Sequence, residues 1–324
     1  MEVKNILEDI SGEWQELQIL LKDSLKSDCF FLNKINEYLL SNMGKQLRPM
    51  LGILAAKTCG EVNDRTIVVS VVSEIIHCAT LLHDDVADNS DKRRGRLTVH
   101  KMFSPAAAVL TGDYWLAKAL SLVTALNDTK LLDFYIKAVE GLSEGELEQM
   151  DKSVKMDTTE ADYYKIINGK TAALFVAVVM SAGYTVGAGT EQMKRLESYA
   201  RHLGIAFQIR DDIFDYTPKM ETGKAAGTDI KEKKLTLPLI KALENSPSEE
   251  RSLFLSRLRG VDVVTEDYVE EVFGFVKRNR GVEIAQSILS KHCREAAESL
   301  SIFPDSVYRR HLEDLARYVG TREY

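Results

Sequence analysis

Residues 66–95 read TIVVSVVSEIIHCATLLHDDVADNSDKRRG. The first half is apolar and rich in β-branched residues, a composition that suits a strand. It runs past twenty positions without a turn residue, however, which is too long for one strand and fits a helix. The apolar pair Leu81-Leu82 then gives way to Asp84, Asp85, Asp88 and Asp91, and these to Lys92-Arg93-Arg94. On a helix Asp84 and Asp88 stand about 40° apart in azimuth and one turn along the axis, so both carboxylates can reach one cation. Hard divalent ions such as Mg²⁺ take oxygen ligands of this kind and usually keep waters and substrate phosphates as well. A single DDxxD is ordinarily a solvated acidic helix end.

A second copy changes that reading. Residues 207–215 are FQIRDDIFD, so Asp211, Asp212 and Asp215 repeat the spacing of Asp84, Asp85 and Asp88. The setting (Ile205, Phe207, Ile209, Ile213, Phe214) is a poor one for acids unless cations compensate them. Two such helices facing one another would offer four to six carboxylates to a metal cluster. Neither copy has the loop glycine and terminal glutamate of an EF-hand. Anionic substrates would balance the metals, and the cations available to hold them are Lys45, Arg48, Arg93, Arg94, Lys170, Lys224, Lys231, Lys233 and Lys234. Several of these fall at expected helix ends or in glycine-containing loops, where backbone amides also reach phosphate.

The rest of the chain reads as helix. No proline lies between Pro105 and Pro218, and Leu, Ala, Glu and Lys are abundant. Apolar residues at Ile6, Ile10, Trp14, Leu17 and Leu21 mark an amphipathic helix over 3–24. Further helices are expected at 30–41, from Pro49, from Asp64 to the acidic motif, at 105–126, 128–150, 159–183 and 190–216, and again from Thr236, with three or four more to Tyr318. Ser104-Pro105 supplies a cap and a first-turn proline. Asn89–Thr98 and 217–235 read as loops. Residues 105–126 are apolar nearly all round and belong in a core or a subunit interface. With no internal repeat or Pro/Ser-rich linker, one all-α domain over 1–324 is expected.

Composition excludes several function classes. A formal charge of −7 leaves little basis for a nucleic-acid binder. Cys29, Cys59, Cys78 and Cys293 are scattered without a CxxC pair, as expected of reduced thiols in a cytoplasmic protein. The opening MEVKNILEDI is too acidic for a signal peptide. The uncharged stretch Thr171–Thr190 has a truly apolar run only over Ala172–Met180, short of the ~20 residues a spanning helix needs, so a buried helix is expected there. Gly141-Leu142-Ser143-Glu144-Gly145 matches GxSxG, but the nucleophile elbow needs a strand before it, and this stretch lies in a helical segment.

Taken together, GKQLRP (44–49), His77–Gly95, GD (112–113), KTA (170–172), FQIRDDIFD (207–215), GKAAGTD (223–229) and KLTLP (234–238) resemble the trans-isoprenyl diphosphate synthases, or polyprenyl synthetases. They occur in that family's order across most of the chain. The resemblance implies a single helical bundle of the isoprenoid synthase type around a central active-site cavity, acting as a homodimer. It implies head-to-tail condensation of isopentenyl diphosphate with an allylic diphosphate. Three Mg²⁺ per site would be held by Asp84, Asp88 and Asp211, with Asp85, Asp212 and Asp215 completing the shell. Lys45, Arg48, His77 and Arg94 would hold isopentenyl diphosphate, while Arg93, Lys170, Lys224 and Lys234 would hold the allylic diphosphate. Thr171 and Gln208 would turn oxygens toward the carbocation, and the released diphosphate would accept the lost proton. Two positions depart from the family pattern: Leu97 stands where many relatives have proline, and Lys233 where glycine is usual.

In the family, large side chains at the fourth and fifth positions before the first motif stop chain growth. Here these are Thr80 and Ala79, both small, so a long product is expected, with Trp115 or Leu120 as possible floors of the tunnel. A shorter-chain farnesyl or geranylgeranyl diphosphate synthase is the alternative within the family. A terpene cyclase would lack the second DDxxD and the isopentenyl diphosphate site. A non-catalytic partner subunit would have lost some of the six aspartates.

Overall fold

The structure is a computed structural model that describes residues 3–217, 227–260 and 263–321, with side chains from residue 5 onward. The described residues are almost entirely helical. In chain order the first helices are α1 (Val3–Asp9), α2 (Ser11–Ser24), α3 (Phe30–Leu40), α4 (Leu47–Cys59) and α5 (Asp64–Ala87). A two-stranded hairpin, β1 (Lys92–Arg93) and β2 (Arg96–Leu97), leads to α6 (Val99–Met102), α7 (Pro105–Thr124) and α8 (Thr129–Lys155). Next come α9 (Glu160–Ile167), a π-helical turn over Asn168–Ala172, α10 (Ala173–Thr185) and α11 (Thr190–Asp215). The remainder is α12 (Thr228–Lys231), α13 (Leu237–Asn245), α14 (Ser248–Gly260), α15 (Glu266–Arg278), α16 (Gly281–Ser299) and α17 (Val307–Thr321).

These elements group into two compact units. The first comprises Met1–Val139, Leu174–Glu197 and Leu300–Asp314, the second Glu140–Ala173, Ser198–Ser299 and Leu315–Tyr324.

In the first unit α5 is the central element. Its start is fixed by a capping box in which the Asn63 side chain accepts from the Thr66 amide. The β-branched run Ile67–Val72 is helical because the segment is buried nearly all round, with Ile67, Val69, Val71, Val72, Ile75 and Ile76 each 4% exposed or less, so that burial outweighs a small propensity penalty. Tyr135 donates to the Val69 carbonyl at 2.5 Å and Thr66 pairs with Thr185 at 2.7 Å, which ties α5 to the flanking segments of its unit. The cap at Ser104 forms as expected, accepting from the Ala107 amide. Trp115 on α7 is fully buried and its indole donates to Asn36 Oδ1 at 2.8 Å.

The stretch read as a loop at 89–98 contains the β1/β2 hairpin, with Lys92 opposite Leu97 and Arg93 opposite Arg96. Arg94 and Gly95 both have positive φ, 51° and 78°, the left-handed pair that a two-residue hairpin turn needs.

Two segments are long and apolar enough to cross a membrane, Asp64–Ala87 and Glu160–Thr185, and 72% and 67% of their apolar windows are buried inside the protein. The second overlaps the Thr171–Thr190 stretch, whose apolar run alone falls short of a span; with the residues before it the segment reaches that length, and most of its apolar window is covered by the fold.

In the second unit the GxSxG stretch proves to be a packing device. A Cβ on Gly145 would lie 2.9 Å from the Lys170 amide nitrogen and 3.0 Å from the Ile166 carbonyl oxygen, and one on Gly169 would lie 2.3 Å from the Gly141 carbonyl oxygen. The three glycines let the backbone of α8 touch the backbone of the π-turn. Ser143, between them, is an exposed mid-helix residue, with none of the strand–turn–helix context of a nucleophile. The π-turn interrupts the helix expected over 159–183 at this contact, as π-bulges do where a helix is forced off its regular path. Gly169→Ala, which places a methyl against backbone, should lower stability by about 1–3 kcal/mol in urea unfolding, whereas Ser143→Ala should leave the midpoint unchanged.

Candidate active site

In both acidic motifs the helix sorts the aspartates by a rotation of about 100° per residue. On α5, Asp84 is half-buried and Asp88, at the helix end, is exposed, whereas Asp85 between them is only 4% exposed. On α11, Asp211 is exposed and Asp215 half-buried, while Asp212 is 3% exposed. The structure thus brings the outer members of each DDxxD to one face and sends the middle one inward.

Each inward carboxylate has a dedicated partner. Arg93 donates Nε to Asp85 Oδ1 at 2.7 Å. Burial raises the Asp85 pKa, with Arg93 opposing the rise. Asp212 accepts from the Tyr163 hydroxyl at 2.5 Å and from Gln208 Nε2 at 2.8 Å. Its pKa is pushed up to about 7, chiefly by burial and further by Asp211 and Asp215, while Tyr163 and Gln208 oppose.

Around the first motif the hairpin separates two neighbouring arginines. Arg93 turns to Asp85, while Arg94 donates to the Asn42 carbonyl at 2.9 Å. Its guanidinium lies over Gly44, where a Cβ would come within 2.6 Å of Arg94 Cζ. Gly44 also has φ +73°, so this glycine serves both the turn and the arginine. Lys45 is exposed, and Arg48 stacks its guanidinium on the Phe175 ring at 4.7 Å. His77 is half-buried one turn below Thr80, and burial, followed by the positive charges of Arg48, Arg94 and Arg93, holds its pKa well below the ordinary value. His77 is therefore a neutral imidazole at neutral pH. A cavity of about 60 Å³ is lined by Asn42, Met43, Cys78, Asp85, Arg93 and Arg94 among others.

Around the second motif a hydrogen-bonded chain runs through the unit. The Thr171 hydroxyl donates to Gln208 Oε1 at 2.7 Å, and Gln208 passes the chain to Asp212 and Tyr163. Lys170, presented by the π-turn, donates to Gln149 Oε1 at 3.0 Å and pairs with Glu146. Asp215 accepts the Thr228 and Asp229 amides at 2.9 and 3.0 Å, so one of the candidate metal ligands also caps α12. Lys234 pairs with Glu232 at 2.6 Å. A cavity of about 100 Å³ is lined by Gln149, Tyr163, Lys170, Gln208, Asp212, Asp229 and Lys234 among others. Lys224 lies outside the described residues. Lys233 adopts φ +56°, a left-handed conformation that costs a non-glycine residue roughly 1–2 kcal/mol.

Of the chain-length positions, Ala79 is buried at 1% exposure, and Thr80 is half-buried with its hydroxyl bonded to the His77 carbonyl at 2.9 Å. Leu120 is 36% exposed, in contrast to the buried Trp115.

Three acidic or phenolic groups escaped the sequence reading. Glu74 is 1% exposed. Its carboxyl is raised to about 7 by burial, against the opposing charges of Arg48 and Arg94. An acid inside VVSEIIHCA was a visible signal. Asp229, held well above the carboxylate range by burial and by Asp212 and Asp215, sits in a motif quoted above. Tyr163 carried no signal, since its partner is 49 residues away.

Comparison with known proteins gives this geometry its context. The polyprenyl synthetase family profile matches residues 30–275. The chain belongs to the polyprenyl synthetase family. It is 33% identical to the octaprenyl diphosphate synthase of Escherichia coli over 324 residues, all of both chains. It is 32% identical to the octaprenyl diphosphate synthase of Haemophilus influenzae, covering all of this chain and 98% of that one. Among solved structures, a polyprenyl synthase from Caulobacter crescentus, complexed with calcium and isoprenyl diphosphate, superposes with a TM-score of 0.92 at 32% identity, covering 100% of this chain and 98% of that one. The family is that of the trans-isoprenyl diphosphate synthases, so the chain is a prenyltransferase with the all-α isoprenoid synthase fold.

Arg93→Met strands a buried carboxylate and should destabilise by about 2 kcal/mol, reduced from the full buried-pair value because Arg93 is partly exposed. The double variant Asp85→Asn/Arg93→Met should recover part of that loss in a denaturation cycle. For Glu74 the native carboxyl keeps its proton between about pH 4.5 and about 7, where the unfolded chain has released it. Native protein therefore binds more protons, and stability falls as pH rises through that window, by on the order of 3 kcal/mol. Glu74→Gln should flatten the slope of urea stability against pH between 5 and 8.

Proposed function

We propose that this chain joins isopentenyl diphosphate to an allylic diphosphate, head to tail and in the trans sense, and repeats the addition to give a long all-trans polyprenyl diphosphate. The observation that carries the reading is the repetition of one design on α5 and α11: two outer carboxylates on one face, with a middle one buried and hydrogen-bonded. These are hard oxygen donors, and they suit Mg²⁺. Asp84, Asp88 and Asp211 would be the principal ligands of three Mg²⁺, supported by Asp85, Asp212 and Asp215. When bound, the metal would neutralise the diphosphate charge that grows as the allylic carbon–oxygen bond breaks.

The remaining roles belong to side chains. Lys170, Arg93, Lys224 and Lys234 grip the allylic diphosphate. Lys45, Arg48 and Arg94 supply charge to isopentenyl diphosphate, and His77, neutral in its surroundings, supplies a hydrogen bond in place of a third kind of cation. The Thr171–Gln208 pair holds its oxygens in place through Asp212 and Tyr163, so that they can stabilise positive charge on the allyl group. The double bond of isopentenyl diphosphate attacks that carbon, and the departing diphosphate takes the proton.

The small residues Ala79 and Thr80 support a long product, as do relatives named for octaprenyl products. We place the chain, as one domain over 1–324, in the cytoplasm, without a membrane span or nucleic-acid partner. The four cysteines, all free, support that placement. Exposed Val109, Leu110 and Leu120 on α7 support a homodimer through that helix.

Chromatography of products from isopentenyl diphosphate plus each allylic primer should show long chains with Mg²⁺ and none with EDTA. Asp84→Ala and Asp211→Ala should each lower turnover at least 10³-fold, a fall of about 4 kcal/mol in transition-state stabilisation, with circular dichroism unchanged. Thr80→Phe and Ala79→Tyr should shorten the product. Normal turnover in either aspartate variant would refute the metal assignment, and unchanged product length in Thr80→Phe would move the floor elsewhere.

A further inference from the structure

Away from both acidic motifs, three metal-ligating side chains converge in the second unit. His202 on α11 and His292 on α16 oppose their Nδ1 atoms at 2.9 Å, with ring centroids 5.1 Å apart. Glu295 brings Oε2 to 3.2 Å from His202 Nδ1. Positions 292 and 295 share a face of α16 because they are three apart, and the donor atoms of all three residues lie within 4.8 Å of one another. The three residues are half-buried.

Without an ion one Nδ1 carries a proton and donates it to the other; a cation in place of that proton would take both lone pairs. Each imidazole, when neutral, has one nitrogen free to ligate. The Tyr164 hydroxyl lies 3.4 Å from His292 Nε2. A proton on Nε2 facing that oxygen leaves the Nδ1 lone pair directed at His202, the outer-shell arrangement that fixes the tautomer of metal-bound histidines. The other oxygen of Glu295 is 3.8 Å from Lys291, which leaves Oε2 as the inward donor. In a tetrahedral zinc site adjacent donors are roughly 3.3 Å apart; the Glu295–His202 edge already fits, the histidine edge has to open by a few tenths of an ångström, and the Glu295–His292 pair lies within 4.8 Å.

We propose that His202, His292 and Glu295 form a zinc site, completed by water, that clips α11 to α16. Two imidazoles and one carboxylate favour Zn²⁺ over Mg²⁺, which prefers all-oxygen shells. The clip lies on the same helix as the second acidic motif, nine residues before Asp211, and is built independently of it.

The test uses full-length protein stripped with chelator and titrated with Co²⁺ in excess Mg²⁺, which occupies the oxygen-only sites. Expected are one equivalent of Co²⁺ with visible bands of a low-coordinate nitrogen–oxygen site, displacement by one equivalent of Zn²⁺, and a rise in Tm of a few degrees with Zn²⁺. Glu295→Gln and His202→Asn should each weaken binding about tenfold or more, and His202→Asn/His292→Asn should abolish the bands. Asp84→Ala/Asp211→Ala should retain them. Prenyl transfer with Mg²⁺ should stay within about twofold of the parent in the histidine and glutamate variants. Absence of the bands in the parent, their persistence in Glu295→Gln and His202→Asn at unchanged affinity, or their loss in Asp84→Ala/Asp211→Ala would overturn the proposal.

Discussion

A carboxylate taken out of water has to be held by something, and the arrangement around both acidic motifs follows from how Asp85 and Asp212 are held. A helix cannot point three acids at positions 1, 2 and 5 in one direction. The step of about 100° per residue keeps the outer two together and turns the middle one into the protein. Asp85 meets the Arg93 guanidinium, and Asp212 meets a phenol and an amide. An unpaired acid at either place would cost several kcal/mol. The partners therefore keep the motifs rigid, and in doing so they position groups of their own: Arg93 at the hairpin, and Gln208 beside Thr171.

The same economy of contact shapes the backbone around Lys170 and Thr171. Glycines at 141, 145 and 169 let main chain approach main chain, and the helix answers with a π-turn that carries both Lys170 and Thr171. At Gly44 the missing side chain makes room for the Arg94 guanidinium. In each case a residue with no functional group decides where a charged one sits. That is why GxSxG, a nucleophile motif on another scaffold, is a packing motif here.

Much of the all-α fold was legible because apolar periodicity, cap residues and the absence of proline act locally. Ser104 caps α7 and Pro105 opens it, as their chemistry requires. The hairpin at 92–97 was harder to see. Its strands have two residues each, and no alternation of apolar and polar residues can be read over so short a span. Only the positive φ at Arg94 and Gly95 makes the turn. The π-turn was hidden for a related reason: its cause is a neighbouring helix, absent from the local sequence. Glu74 was visible as an acid in an apolar run and Asp229 lay in a quoted motif, but the positive charges opposing burial at Glu74, and the crowding of acids around Asp229, involve residues distant in sequence.

By itself the sequence determined which residue types recur at which spacing: two DDxxD motifs, a GKQLRP loop, a KTA triplet and paired arginines. Spacing of three and four is a property of one helix, so it survives translation into structure unchanged. Tertiary structure alone decided the partners: Tyr163 for Asp212, Arg93 and not Arg94 for Asp85, and Phe175 under Arg48. Partnership depends on distance in space and on the dielectric around a group, and neither is a function of position along the chain.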